Sequence, residues 1–143
     1  MLFCPSTQAS GTPYTLTIST AEQVLAEVPL AAEDQWCLHW NHSVTDEGVI
    51  DCYGIVEHKL TLIRAYQPDF AAGLGHYPGR GILTSAEGKG YWIEDINEPV
   101  PGNAYVLRVG SLAVDHRLIL ESHTVYLSRM AERQRVTIEL SHD

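Results

Sequence analysis

Apolar and polar residues alternate with a period of two along most of the chain, in short runs separated by turn residues. The first runs are Tyr14 to Ser19, Gln23 to Leu30, Gln35 to Ser43, Val49 to Glu57 and Lys59 to Tyr66. After a stretch rich in glycine and proline come Gly81 to Ser85, Tyr91 to Asn97, Tyr105 to Val109, Arg117 to Leu120, Thr124 to Leu127 and Arg135 to Leu140. Successive side chains of a pleated strand point to opposite faces, so each run predicts a strand with one buried face. Short strands joined by turns such as Glu87-Gly88-Lys89-Gly90 and Pro101-Gly102-Asn103 predict an all-β protein. The expected architecture is an antiparallel β-sandwich or flattened barrel of about nine to eleven strands. Helical signals are confined to a turn at Thr20 to Leu25, capped by Thr20, and another at Ser128 to Arg133.

The runs around His42 and Asp51 read as a β-hairpin with two competing registers. If Thr45 to Gly48 forms the turn, with Gly48 at positive φ, Leu38 pairs with Ile55, Trp40 with Tyr53 and His42 with Asp51. That register matches apolar with apolar, aromatic with aromatic and imidazole with carboxylate, pairs worth about 0.2–1 kcal/mol each. The other register sets Cys37 opposite Cys52, which permits a disulfide but places Leu38 against Asp51. Pairing chemistry favours the first, leaving the cysteines as small buried residues.

Composition narrows the function classes. The chain has 143 residues, enough for one domain with its own core, and is 45% hydrophobic and 19% charged. Its net charge is −9, with nine scattered Lys and Arg, whereas a nucleic-acid binder needs clustered cations to displace phosphate counterions. Three cysteines without a CxxC pair suggest neither a disulfide framework nor a zinc site. No apolar run reaches the roughly 20 residues of a membrane helix. Residues 1–13 are expected to be a flexible segment, a remnant of an export or anchor region, ahead of one β-sandwich domain over residues 14–143. Phe3 stands where a lipid-bearing Cys4 would need a small residue.

Three places carry candidate chemistry. The first is His42-Ser43-Val44 with Asp51 and Tyr53, where a carboxylate beside the imidazole would fix its tautomer and raise its pKa. Ser43 directly follows His42, so on an extended chain the two point apart, and no G-x-S-x-G elbow exists; a Ser-His-Asp hydrolase is therefore not expected. The second is Gly73-Leu74-Gly75, read as a turn or as a backbone approach to a ligand through Gly73 and Gly75. The third is Arg108, whose guanidinium suits either an anionic ligand or a structural carboxylate. His39 and His42 diverge on a strand and the other histidines lie in separate segments, so neither metal nor cofactor is expected.

Taken together, Trp40-Asn41-His42-Ser43-Val44, Asp51-Cys52-Tyr53, Gly73-Leu74-Gly75, Leu107-Arg108-Val109-Gly110 and Val136-Thr137-Ile138-Glu139-Leu140 resemble a bacterial family catalogued as a domain of unknown function. Its members are typically encoded beside, or fused to, components of TAXI-class TRAP solute transporters. The likeness spans roughly Tyr14 to Leu140. The family usually carries glutamate in place of Asp51, proline in place of Gly75 and asparagine near His116. The resemblance implies a non-enzymatic, periplasmic or otherwise extracytoplasmic accessory domain, membrane-anchored in its precursor. Its implied partner is the transporter membrane subunit or substrate-binding protein. The rival expectation is a module that binds a small molecule around His42 and Asp51.

Overall fold

The computed structural model describes residues 12–68, 80–85 and 90–142. Gly73 and Gly75 therefore lie outside the described residues. The strands are β1 (Tyr14–Ser19), β2 (Val24–Leu30), β3 (Trp36–Asn41), β4 (Gly48–Val56), β5 (Lys59–Gln67), β6 (Ile82–Ser85), β7 (Tyr91–Glu94), β8 (Glu98–Pro99), β9 (Ala104–Arg108), β10 (Arg117–Ile119), β11 (Thr124–Tyr126) and β12 (Arg135–His142). A single turn of helix, α1 (Leu127–Ala131), lies between β11 and β12.

The strands form two antiparallel sheets, as an all-β sandwich requires. One has the order β2-β1-β12-β9; the other has the order β11-β10-β3-β4-β5-β7-β6, with β8 added beside β5. The sheets meet through their alternating apolar residues: Tyr14, Leu16 and Ile18 of β1 and Val136, Ile138 and Leu140 of β12 pack with Trp36, Leu38, Tyr53, Leu60 and Leu118. A smaller cluster of Ala65, Tyr91, Ile93 and Ile96 lies farther along the larger sheet, and Leu62 touches both clusters.

Local chemistry accounts for the departures from the expected elements. Thr20 to Leu25 is not helical: Thr20 Oγ1 accepts the Glu22 and Gln23 N–H groups at 3.2 Å each, and the segment turns from β1 into β2. The expected strand Tyr91 to Asn97 ends at Glu94, because Asp95 and Asn97 take left-handed backbone. Ile96 N–H instead reaches Ile63 O at 2.8 Å, and pairing beside β5 resumes at β8, the short strand that brings the total among the described residues to twelve.

The hairpin register is the main correction. Cys37 pairs with Cys52, Leu38 with Asp51, Trp40 with Val49 and Trp36 with Tyr53. A Cys37–Cys52 disulfide holds the two strands together. Residues 42–47 make the connection, and Asp46, not Gly48, takes positive φ. Trp36 and Trp40 are four positions apart, so sliding the partner strand by four keeps an aromatic pair with Tyr53 and keeps every side chain on its face. Side-chain pairing was therefore nearly degenerate, and the covalent bond separates the two registers.

Candidate functional site

The corrected register parts the expected His42–Asp51 pair. His42 follows the end of β3 and closes the turn: its Nδ1 accepts the N–H groups of Val44 at 3.2 Å and Thr45 at 3.4 Å. Its backbone N–H donates to Glu47 O and its carbonyl accepts from Asp46 N–H, so both ring and main chain serve the turn. Ser43 is exposed beside it. Asp51 sits opposite Leu38, four positions before His42, which is roughly 13 Å at about 3.3 Å per residue. Arg108 is exposed on β9, directly across from Arg135. His42, Asp51 and Arg108 thus occupy three separate places.

Asp51 is the chemically unusual member. One row of paired residues crosses the larger sheet as Val125, Leu118, Leu38, Asp51, Ala65, Ile93 and Leu83. Every other residue of the row is apolar. Leu38 belongs to the main core and Ala65 to the smaller cluster, so the carboxylate lies at the seam between them. Loss of water from the charged form raises its pKa to about 6, against which the positive charge of Arg80 acts. Arg80 Nε in turn donates to Glu98 Oε2 at 3.3 Å.

Beside Asp51 three aromatic side chains stack. Tyr53 and Tyr105 lie 4.7 Å apart and 13° from parallel, and Trp36 lies 6.2 Å from Tyr53 on its other side. Burial pushes both tyrosine hydroxyls well above the ordinary phenol range, and the neighbouring Asp51 charge adds to this. The Tyr53 and Tyr105 hydroxyls bias one another's ionisation, and the nearby Trp36 indole N–H favours the ionised form of Tyr105. Even so, Trp36 Nε1 and Tyr105 Oη are buried without a hydrogen bond of normal geometry. Such atoms cost about 1–3 kcal/mol each when left unpaired. Asp51 and Tyr53 are the predicted residues retained here. Trp36, Tyr105, Arg80 and Glu98 were missed: alternation marks Trp36 and Tyr105 as inward residues, but no local signal tells which strand of the opposite sheet they meet.

His116 forms a second buried polar knot. Its Nδ1 accepts Gly110 N–H at 2.9 Å, its backbone N–H donates to Ser128 Oγ at 2.9 Å, and Ser128 Oγ donates to Gly110 O at 3.0 Å. The ring packs 5.6 Å from Trp40. Burial lowers the His116 pKa, with Asp115 acting weakly in the opposite sense. Because Ser128 engages backbone and not the imidazole, the knot fastens loops together and does not activate a nucleophile.

One outer surface is also distinctive. β2 and β11 are the edge strands of their respective sheets, and a shallow apolar groove runs between them. Ala26 of β2, Thr124 to Tyr126 of β11, and Arg129 and Met130 of α1 line it. Tyr126 and Met130 are substantially exposed, as is Val24 farther along β2. The Arg129 guanidinium lies 4.0 Å over the Tyr126 ring, which places one positive charge at the rim.

Among the described residues no helix is long and apolar enough to cross a membrane. Comparison with curated proteins and with solved structures finds no match. A family model, a domain of unknown function designated DUF1850, matches residues 37–127. That span begins at the disulfide cysteine, contains Asp51, Tyr53, Arg80, Tyr105 and His116, and covers well over half of the chain. The chain therefore belongs to the DUF1850 family.

Proposed function

We propose that the chain is a non-enzymatic, extracytoplasmic accessory domain of a TRAP-type solute transporter, docking on the transporter membrane subunit or its substrate-binding protein. The observation that carries this reading is the groove between β2 and β11, with Tyr126 and Met130 exposed on it. Apolar side chains beside two strand edges that pair with no further strand among the described residues offer a partner both burial and main-chain hydrogen bonds. With Arg129 at the rim, the fitting partner surface is apolar and bordered by a carboxylate. The Cys37–Cys52 bond supports the compartment, since structural disulfides persist in oxidising surroundings.

The test is site-specific photo-crosslinking in the native host, with a photoreactive residue placed at Tyr126 or Met130. Crosslinks to the membrane subunit or the substrate-binding protein are expected, and a probe at exposed Arg108 on β9, the edge strand opposite β2, should give none. Absence of transporter crosslinks from both groove positions would overturn the reading.

A second reading, binding of a small polar molecule, is favoured by the unpaired Trp36 Nε1 and Tyr105 Oη beside Asp51. It no longer includes His42. A compound that raises the melting temperature of the wild-type protein but not of Asp51→Asn or Tyr105→Phe would support it. A shift that persists in both variants would remove Asp51 and Tyr105 from any such site.

A further inference from the structure

The fold brings together two histidines that the sequence leaves 84 positions apart, His58 and His142. We infer that His58 and His142 form a surface site for a late divalent transition-metal ion, with Tyr14 as the positioning residue. Three observations carry it.

First, the two imidazole rings lie 4.9 Å apart, centre to centre, at 51°. Metal–nitrogen bonds of about 2.0–2.1 Å put the centres of two imidazoles on one ion roughly 4.5–5 Å apart, for bond angles between square and tetrahedral. The pair already has that spacing.

Second, His58 is held by its other nitrogen. The buried Tyr14 hydroxyl is hydrogen-bonded to His58 Nδ1, and the Tyr14 ring packs 4.7 Å from His142, its cross-strand partner. When Nδ1–H donates to the tyrosine oxygen, the Nε2 lone pair is free for an ion. An outer hydrogen bond of this kind orients most metal-binding histidines.

Third, the backbone that presents His58 is unusual for its sequence. Glu57 and His58 form the two-residue turn between β4 and β5, both with positive φ, 52° and 67°. Asn-Gly or Gly-Gly adopt this turn readily, whereas side chains with a Cβ are strained there. The chain tolerates that strain at the residue whose imidazole reaches Tyr14 and His142.

Among the described residues no three His, Cys, Asp or Glu side chains gather as a ligand set. Two imidazoles are therefore the donors identified, with solvent completing the shell. Imidazole nitrogen suits copper, nickel and zinc, with copper(II) binding most tightly of the divalent series.

The experiment titrates Cu²⁺ into the intact protein, in a weakly chelating buffer, with EPR and histidine-edited NMR as readouts. One equivalent should show two equatorial nitrogens and broaden the His58 and His142 resonances before those of His39, His42, His116 and His123. His58→Gln and His142→Gln should each weaken binding at least tenfold. Tyr14→Phe should weaken it by about tenfold while both histidines remain. Thermal melts without metal establish that each variant is folded, and His142→Gln alters only an exposed side chain near the end of β12. Unchanged affinity in both histidine variants, or first broadening elsewhere, would overturn the site. Unchanged affinity in Tyr14→Phe would overturn the positioning role.

Discussion

Asp51 faces Leu38 across β3 and β4, one position from the Cys37–Cys52 disulfide. A carboxylate against a leucine that is 3% exposed is an unfavourable pair, and its cost appears as the raised Asp51 pKa. The disulfide and the apolar packing of Trp36, Leu38 and Tyr53 outweigh it.

Reducing the disulfide, or replacing Cys37 and Cys52 together by alanine, should lower stability by about 2–4 kcal/mol. Urea unfolding with and without reductant measures this. The double variant should lose its sensitivity to reductant, because Cys4 alone remains.

Asp51 should make the fold less stable as pH rises from about 4 to about 6. Its pKa is 3.8 ordinarily and about 6 in the folded chain, so the folded state binds more protons over that window. The contribution is complete below the lower value and lost as pH rises through the upper one. A shift of this size corresponds to about 3 kcal/mol, which the remaining solvent access of the largely buried carboxylate reduces to about 1–2 kcal/mol. Asp51→Asn should therefore stabilise the protein at pH 7 and flatten this part of the profile.

His116 should act with the opposite sign. Its folded pKa lies below the ordinary 6.5, so stability is full above 6.5 and declines as pH falls through the lowered folded value. Half-buried His39 adds to the same trend. In Asp51→Asn this histidine-driven loss on the acid side should persist. Ser128→Ala, which strands His116 N–H and Gly110 O, should cost about 1–3 kcal/mol in urea unfolding at pH 7.

His42→Ala should remove a turn contact worth no more than about 1 kcal/mol and leave Asp51 titrating as before. Carboxyl-carbon NMR of Asp51 in the two proteins is the measurement. A displaced Asp51 titration would mean that the two side chains are coupled after all.

The strands and their faces were legible because they are local properties. In β1 the pattern YTLTIS buries Tyr14, Leu16 and Ile18 in strict alternation, and β12 does the same with Val136, Ile138 and Leu140. Periodicity alone, at two residues per repeat, specifies that much. The hairpin of Trp36–Asn41 and Gly48–Val56 was equally visible as an element. Its pairing was not, because cross-strand preferences of about 0.2–1 kcal/mol each cannot separate registers that both offer Tyr53 a tryptophan.

The sequence by itself determined an all-β chain, the inward and outward residues of its strands, and membership of a family recognisable from His42, Asp51, Tyr53 and Arg108. Tertiary structure alone decided that Cys37 bonds Cys52, that Asp51 enters an apolar row, that Tyr105 stacks on Tyr53, and that His58 meets His142. The division has a physical cause. Side-chain alternation depends on neighbouring residues only. Register, inter-sheet contact and the dielectric around a carboxylate depend on residues distant in sequence, which only the packed sheets bring into range.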